Sequence, residues 1–433
     1  MIVKRPFHNS IWAIRDARIA LVARALSTAG TSVTSIAAIL LLYNGGVGAL
    51  GVAAFLAALV IPAIATMGIA GRVADTMDSR VVLVAASLLQ AAAVTALGFE
   101  HGTAMIFVSG VVISFAQAFA QPTWSALIPR IVGDERIGKA VSWQQGLAAV
   151  ASPIGAGLGG LLVTLDDVAW GFWADAATYL MLAAAAMLIR TRRRGALAPV
   201  TDGALAPVAD EGRDAASPAD PADTGWIAGL RIIARDRILF PLFSAIIVFV
   251  VLVEGVNPVE VFLVRDALGA TNWQYGLSEF FAGAGGIIGA AIAGRLATDT
   301  QRGRAAVIGF GGAGLLLVVM GVAPNFWMYG VVLTLMVAAF GIGNATTGAL
   351  LMSRTSDAQR GRVSAALNGL ARTGSLIALG LGGVANALLG ARPTFVVAGI
   401  AGAVAMAVAG VAILRAQRAE ASALAATPGH HGR

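Results

Sequence analysis

Residues 81–100 read VVLVAASLLQAAAVTALGFE, an apolar run whose only ionisable residue is Glu100. About 20 such residues, at a helical rise of about 1.5 Å each, cross the hydrocarbon core of a bilayer. Further runs of similar composition lie at 17–43, 49–70, 103–125, 138–164, 169–190, 238–262, 271–294, 305–323, 325–350, 361–389 and 392–414. The sequence therefore predicts an all-α polytopic membrane protein with twelve transmembrane helices.

The composition agrees with this class. Hydrophobic residues make up 58% of the 433 residues and charged residues only 12%, too few to cover the surface of a soluble protein of this length. The chain has no cysteine and only four histidines, so we expect neither a thiolate nor a histidine metal centre. No Walker loop is present, and the glycine-rich strings lie inside apolar runs. We therefore expect no enzymatic activity, no metal and no cofactor.

Basic residues are distributed unevenly along the chain. Of the 30 Lys and Arg residues, 26 (30 − 4) lie at the termini, in the even-numbered connections between runs or in the central linker. The other four are Arg24, Arg265, Arg372 and Arg392. Cytoplasmic segments carry the excess of Lys and Arg in membrane proteins, so we predict a multi-pass protein of the cell (inner) membrane with both termini in the cytoplasm. The same distribution explains the net charge of +7 without a nucleic-acid partner.

The two halves of the chain are repeats. A shift of 223 residues (294 − 71) places Gly71-Arg72 on Gly294-Arg295 and Gly146-Leu147 on Gly369-Leu370. Two parallel six-helix units of this kind suit a transporter with its site between two pseudo-symmetric bundles. The predicted domains are an N-terminal bundle (1–190), a flexible cytoplasmic linker with a short amphipathic helix (191–237), a C-terminal bundle (238–415) and a cytoplasmic tail (416–433).

The connection after the second run carries a recognisable motif. Residues 71–80 read GRVADTMDSR and resemble the signature of the major facilitator superfamily, with Gly71, Asp75 and Arg80 matching it. The stretch 126–140 also resembles the branch that exports drugs and siderophores, such as enterobactin exporters and macrolide efflux proteins. The resemblance implies the facilitator fold and transport by alternating access. Thr76, Asp78 and Ser79 depart from the signature, although an Asp in place of its glycine is familiar from the drug-exporter branch. The two motifs are fairly specific for the superfamily and only weakly specific for the substrate.

This resemblance implies a gating role for the motif. Asp75 would accept hydrogen bonds at a helix N-terminus or pair with an arginine of the other half, which would latch one conformation. The second copy is less regular, because its acid falls one place late. The gating residues implied in this way are Gly71, Asp75, Arg80, Gly294, Asp299 and Arg302. The alternative is that they are polar connection residues.

The fifth run contains Pro153, Gly155, Gly157 and Gly159. It resembles the antiporter motif of exporters, although Ser152 stands where that motif has glycine. Proline kinks a membrane helix and closely spaced glycines allow another helix to approach. Simple helix packing is an equally good explanation, so the motif favours export without establishing it.

Ionisable residues at membrane depth are candidates for ion coupling. Glu254, Glu279 and Arg372 fall at comparable depth, and we predict that one carboxylate binds a coupling proton while Arg372 balances its charge. A structural ion pair is the alternative. Arg24 lies near the cytoplasmic end of the first run and is either a further charge in the cavity or a side chain that reaches the membrane surface. Asp175, beside two tryptophans near the outer end of the sixth run, is interpreted as an interface anchor.

Polar and aromatic residues share one face of the fourth run. Gln117, Gln121 and Trp124 recur at i, i+4 and i+7, and such a stripe is expected to face a substrate cavity rather than lipid. Asn257 and Asn344 add polar contacts from the second half. The alternative for each is a hydrogen bond between helices.

These observations predict a secondary active transporter, an antiporter of the multidrug-resistance type that exports a small amphipathic compound (a drug, siderophore or secondary metabolite) in exchange for protons. The expected partners are this small molecule, protons and the lipid bilayer, and the expected state is a monomer. Two alternatives share the fold, a facilitator-type importer and a lysolipid flippase. A third is a non-transporting receptor or assembly protein, for which intramembrane charges have no evident use.

Overall fold

The computed structural model describes residues 10–192, 239–296, 298–354 and 357–426. Twelve α-helices in these ranges are long and apolar enough to cross a membrane. Their bounds are α1 Arg15–Asn44, α2 Ala49–Thr76, α3 Ser79–Phe99, α4 Thr103–Val132, α5 Ile137–Thr164, α6 Val168–Leu188, α7 Leu239–Phe262, α8 Asn272–Ala293, α9 Asp299–Gly321, α10 Phe326–Arg354, α11 Asp357–Leu389 and α12 Ala391–Ala426. Each predicted run overlaps one helix, so the predicted fold class is confirmed.

Several helices are longer than the apolar runs that predict them. The second run ends at 70 and α2 ends at Thr76, while the fourth run ends at 125 and α4 ends at Val132. The predicted tail, 416–433, begins as a helical extension of α12 to Ala426. Hydropathy marks only the part of a helix that needs an apolar surface, whereas backbone hydrogen bonding continues into polar sequence. The linker 193–237, with its predicted amphipathic helix, lies outside the described residues.

The structure reproduces the repeat. α2, α4 and α6 begin at residues 49, 103 and 168, and adding 223 gives 272, 326 and 391, the first residues of α8, α10 and α12. α1 ends at residue 44, and 44 + 223 = 267 is the last residue of the π-helical turn Leu263–Ala267 that extends α7. The chain is therefore built from two six-helix halves, α1–α6 and α7–α12.

Glycines set the closest helix crossings within each half. In the first half, a Cβ on Gly155 or Gly159 of α5 would collide with backbone atoms of Ala29 or Val33 in α1. In the second half, a Cβ on Gly382 of α11 would collide with the carbonyl of Gly255 in α7. Backbone-to-backbone approach of this kind gives the dispersion contact that holds membrane helices together.

The two halves touch at one end of the bundle. Because the helix number is even, α1 begins and α12 ends on the same side, here named the termini side, and the opposite end is the far side. Near the far side, a Cβ on Gly160 or Gly276 would collide with backbone of the facing helix in the α5–α8 contact. A Cβ on Gly383 of α11 would lie 3.0 Å from the Cα of Leu50 at the start of α2. These two contacts form the far-side seam.

Four side chains reinforce the far-side seam. The hydroxyl of Tyr43, in the last turn of α1, donates a hydrogen bond to Asp266 in the turn that extends α7. The guanidinium of Arg265 lies 5.5 Å from the centre of the Tyr43 ring, and Phe262 packs edge-on against that ring at 5.4 Å. Residues 43 and 266 are themselves related by the repeat (266 − 43 = 223).

On the termini side the same four helices separate. Glycines of α2, α5, α8 and α11 there face open space, since a Cβ added to any of them would meet no atom of another helix within 4 Å; they are Gly68, Gly71, Gly138, Gly146, Gly286 and Gly369. The halves are therefore packed together at the far side and splayed at the termini side.

Candidate functional site: a polar cavity in the first half

A cavity of about 800 Å³ lies among α1, α2, α3, α4 and α6. Arg24, Met67 and Gly71 line it toward the termini side, and Ala38 and Ile106 line it toward the far side. Among the lining residues that the structure describes, only Arg372 of α11 comes from the second half. The size suits a small organic molecule.

One face of α1 gives the cavity a hydroxyl-rich wall; its members are Ser27, Thr28, Thr31, Ser32, Thr34 and Ser35. Part of this wall is already engaged, since Thr28 and Thr31 donate to carbonyls one turn earlier at 2.9 and 2.8 Å. Such hydroxyls satisfy their hydrogen within the helix and still offer lone pairs to a ligand.

An acid lies in the wall of the cavity. Asp175 of α6 lines the cavity and its side chain is 0% exposed, so the expected position at the membrane surface is wrong. Thr34 of α1 donates to its Oδ2 at 2.6 Å, and Thr178 donates to its Oδ1 at 3.1 Å. The absence of a Cβ on Gly30 makes room for this carboxyl against α1, because a Cβ there would overlap Oδ1.

Amide side chains continue the polar lining. Gln90 of α3 donates to Oε1 of Gln117 at 3.0 Å. Nearer the termini side, Arg24 donates to Oε1 of Gln121 at 3.3 Å and lies 5.4 Å from the centre of the Trp124 ring. The structure thus places Gln117, Gln121, Trp124 and Arg24 on one cavity. Asn257 and Asn344, predicted for the same cavity, are not among its lining residues.

Aromatic residues of the second half stand at positions that the repeat relates to polar residues of the first. Phe310 and Phe340 correspond through the repeat to Ser87 and Gln117 (310 − 223 and 340 − 223), and they pack edge-on at 5.6 Å. Phe249 stacks against Phe340 at 6.1 Å. At these positions the duplicated scaffold carries polar side chains in one half and an aromatic cluster in the other.

A second polar cluster lies where α7 crosses α11. Oε2 of Glu254 accepts hydrogen bonds from Asn257 at 3.0 Å and from Ser375 at 3.2 Å. Arg372 is one helical turn before Ser375 on α11, and it reaches the cavity. No ion pair within 4.0 Å joins Glu254 to Arg372 in the described chain. The structure brings these two predicted residues into one neighbourhood without a direct contact.

Glu279 lies elsewhere, in the interior of the second half. It is half-buried on α8 and interacts electrostatically with Glu260 of α7, an acid that the sequence analysis did not single out. The hydroxyl of the fully buried Tyr329 donates to Oε1 of Glu260 at 2.6 Å. Glu254 and Glu279 are absent from the residues that line the cavity.

A family model supplies the identity of this fold. The model described as Major Facilitator Superfamily matches residues 20–259 and again residues 254–431, nearly the whole chain in two passes. The chain belongs to the major facilitator superfamily. The first pass runs from α1 into α7, and the second runs from the end of α7 through α12. No curated protein matches this facilitator significantly.

Solved facilitators share the architecture. A bacterial homologue of the iron transporter ferroportin, in an inward-facing state, superposes with a TM-score of 0.66 at 15% identity, covering 93% of this chain and 98% of that one. A mutant of the nucleoside transporter NupG gives 0.65 at 13% identity, with 92% and 100% covered. A bacterial homologue of the lysosomal transporter Spinster, inward-facing and unoccupied, gives 0.63 at 13% identity, with 92% and 97% covered. Identities this low establish a shared fold only.

Asp78 and Arg80 of the facilitator motif between α2 and α3 form hydrogen bonds within the first half. Asp75 is in the last turn of α2, and Asp78 caps the N-terminus of α3 by accepting from the amide of Arg80 at 2.8 Å. The guanidinium of Arg80 donates to the carbonyl of Ile189 at the end of α6 at 2.7 Å. The cap of α3 is therefore Asp78, a departure from the family signature, and the latch expected of Asp75 stays a prediction.

The second copy of the motif is built differently. Gly294 is the C-cap of α8 and Asp299 begins α9, so the late acid of this copy falls at a helix start. Thr298 and Gln301 form a capping box there, and Arg302 donates to the carbonyl of Leu296 at 3.3 Å. The gating role of both copies stays a prediction.

The glycines of α5 pack on two sides of that helix. Gly155 and Gly159 face α1, whereas Gly157 lies against Phe280 and Trp273 of α8. Pro153 is inside α5 and meets Gly283 of α8. The motif thus packs against α1 within the first half and also forms part of the far-side seam.

Proposed function

We propose that this facilitator is a secondary active exporter that exchanges protons for a small amphipathic compound by alternating access, with the termini side in the cytoplasm. The observation that carries the proposal is the cavity of about 800 Å³ in the first half, which Arg372 of the second half also lines, in a bundle whose halves are packed together at the far side. A binding cavity beside the contact of two halves that are joined at one end suits a rocking transporter.

The charge distribution supports the orientation. Those of the 26 basic residues that lie in the described ranges are in the termini-side parts of the helices or in the connections between them at that side. Positive connections stay in the cytoplasm. In that orientation the described conformation is inward-facing, so the cavity is open to receive a cytoplasmic compound, as an exporter requires.

Glu254 is the group that we propose for proton coupling. Its carboxyl bridges α7 and α11 through Ser375, and Arg372 is one turn away at the mouth of the cavity. When the carboxyl loses its proton, attraction to Arg372 would draw these groups together, and protonation would release them. A proton could in this way change the contact between the second half and the cavity.

The test is proton-driven transport in inverted membrane vesicles that contain the wild-type protein or Glu254→Gln. We expect the wild type to accumulate a substrate dye when the vesicle lumen is acidified. Accumulation by the variant should be at least tenfold lower, because the amide cannot exchange a proton. Glu100→Gln is the matched control, since Glu100 is exposed in the α3–α4 connection.

Three results would contradict all or part of the proposal. Accumulation that persists unchanged in the presence of a protonophore would exclude proton coupling altogether. Full proton-driven transport by Glu254→Gln would leave coupling intact but remove Glu254 from it. Accumulation only in right-side-out vesicles would instead favour the importer.

A further inference from the structure

The wall of the cavity contains an acceptor without a partner. Gln90 is 1% exposed, and while its amide nitrogen donates to Gln117, its Oε1 has no hydrogen-bond partner among the described residues. The residue lines the cavity. A buried amide oxygen left unpaired costs free energy, so such an atom in a binding cavity indicates a place for a donor supplied from outside the chain.

Asp175 offers further acceptor capacity in the same wall. Each carboxylate oxygen can accept about two hydrogen bonds, and each already accepts one from a side chain, Oδ2 from Thr34 and Oδ1 from Thr178. In the described part of the chain the one ion pair within 4.0 Å joins Arg192 to Asp78, so no cationic side chain there neutralises Asp175. A carboxylate removed from water without a counter-charge favours a cationic ligand.

The two groups lie at neighbouring levels of the cavity. α3 and α6 run antiparallel, and Arg80 of α3 bonds the carbonyl of Ile189 that follows α6. Counting ten residues from each (80 + 10 and 189 − 10) puts Gln90 level with Tyr179. Asp175 is four residues, or about 6 Å, further toward the far side. By this count the two acceptors are about one helical turn apart along the cavity.

The cavity also has apolar lining, and neither of its two described arginines, Arg24 and Arg372, forms an ion pair with Asp175. Phe55, Leu59 and Ile106 are among the apolar residues that line it. The nearest arginine on α1 is Arg24, ten residues (34 − 24) or about 15 Å along the helix from Thr34. Its guanidinium is engaged by Gln121 and Trp124.

We infer that the transported compound is an amphipathic organic cation whose protonated primary or secondary amine donates to Asp175 and to Oε1 of Gln90, with its apolar part against Phe55 and Ile106. This inference rests on the proposed function in one respect, namely that the cavity is the transport site. It adds the substrate class and the two residues that select it.

The test is equilibrium binding to the purified full-length protein in nanodiscs, without any ion gradient. The probes are dansylcadaverine, which carries a primary amine, its N-acetyl derivative, which is neutral, and its trimethylammonium derivative, which has the charge but no N–H donor. We expect the amine to bind about 10- to 100-fold more tightly than the acetylated probe, because a charged hydrogen bond is lost. The trimethylammonium probe should bind with intermediate affinity.

Variants of Asp175 and Gln90 test the contribution of each acceptor separately. Asp175→Asn should reduce the preference for the amine over the acetylated probe to about threefold or less, and Gln90→Leu should reduce the preference for the amine over the trimethylammonium probe. Glu100→Gln is the control. If Asp175→Asn does not fold, judged by size-exclusion profile and melting temperature, Gln90→Leu carries the test alone.

Equal affinity of the wild type for the amine and the acetylated probe would overturn the inference, as would unchanged selectivity in the well-folded variants. Because no gradient is used, these outcomes are independent of proton coupling. Selective amine binding with no gradient-driven transport would refute only the proposed function, and proton-driven export without amine selectivity would refute only the substrate class.

Discussion

Gly276→Ala should shift the conformational equilibrium of this facilitator toward the state that is open at the far side. A Cβ at residue 276 would lie 2.5 Å from the carbonyl oxygen of Ala156 and 3.2 Å from the Cα of Gly157. Separations below 3.0 Å are essentially unknown for real Cβ atoms, so α5 and α8 must move apart by at least 0.5 Å (3.0 − 2.5). Both contacted atoms are backbone, so no side-chain rotation can relieve the overlap.

The cost follows from overpacking, about 1–3 kcal/mol where a packed interface must shift. This strain acts only where α5 and α8 touch, in the far-side seam, and opening the seam removes it. A ligand or mutation shifts a two-state equilibrium by its differential free energy. One to three kcal/mol corresponds to about a 5- to 150-fold shift toward the far-side-open state.

Cysteine accessibility measures this shift without background, because the chain has no native cysteine. Ala38→Cys reports from the closed end of the cavity, where Ala38 is 2% exposed, and Thr28→Cys reports nearer the termini side. With Gly276→Ala, labelling of residue 38 by an impermeant maleimide applied at the far side should rise at least fivefold. Labelling of residue 28 from the termini side should fall.

Gly286→Ala is the matched control on the same helix, since a Cβ there has no atom within 4 Å. Equal labelling of the two alanine variants would refute the reasoning that the α5–α8 contact exists only in the described conformation. A fall in labelling from both sides would point instead to local misfolding.

The remaining predictions concern one contact within a half and one between halves. Gly382→Ala should lower the melting temperature by roughly 5 °C or more, because its Cβ would meet the carbonyl of Gly255 inside the second half, where rocking cannot relieve the overlap. Gly380→Ala is the control and should melt like the wild type, since its Cβ would meet nothing within 4 Å. Similar melting temperatures of the two variants would contradict the prediction. Tyr43→Phe removes the hydrogen bond to Asp266 across the far-side seam. It should raise far-side labelling of Ala38→Cys about 2- to 10-fold, the equivalent of one net hydrogen bond, and unchanged labelling would show that this bond does not hold the seam closed.

The fold was predictable from the sequence for a physical reason. A bilayer requires every spanning segment to be helical and apolar over a fixed length, so composition alone marks the helices. The repeat was equally visible, and helix starts such as 103 and 326 keep the offset of 223 (326 − 103). Helix ends beyond the hydrocarbon region, such as Val132 of α4, were not predictable from hydropathy, because polar sequence there remains helical.

The cavity was only partly predictable. The stripe of Gln117, Gln121 and Trp124 follows from helical periodicity, whereas Asp175 and Gln90 were missed. Asp175 lies seven residues inside α6 (175 − 168), the same depth at which Glu279 lies inside α8 (279 − 272). The depth of Asp175 along its helix could therefore have marked it as a site candidate, but the neighbouring tryptophans led to its interpretation as an interface anchor. Which side of a helix faces a cavity depends on rotation against its neighbours, and that is set by packing rather than by local sequence.

Because the two halves contribute unequally to the lining of the cavity, Arg372 holds a special position among the lining residues. Every other described lining residue of the cavity belongs to the first half, so a ligand bound there moves with that half and has few means of sensing the second. A ligand can bias a two-state equilibrium only through contacts that differ between the states. In the proposed rocking motion, Arg372 of α11 is the lining residue that would change its distance from the cavity, and it is one turn from Ser375, the donor to Glu254. Within the proposed exporter, Arg372 thus lies between the bound ligand and the carboxyl of Glu254. Substrate and proton would then affect each other through the guanidinium of Arg372 rather than through direct contact.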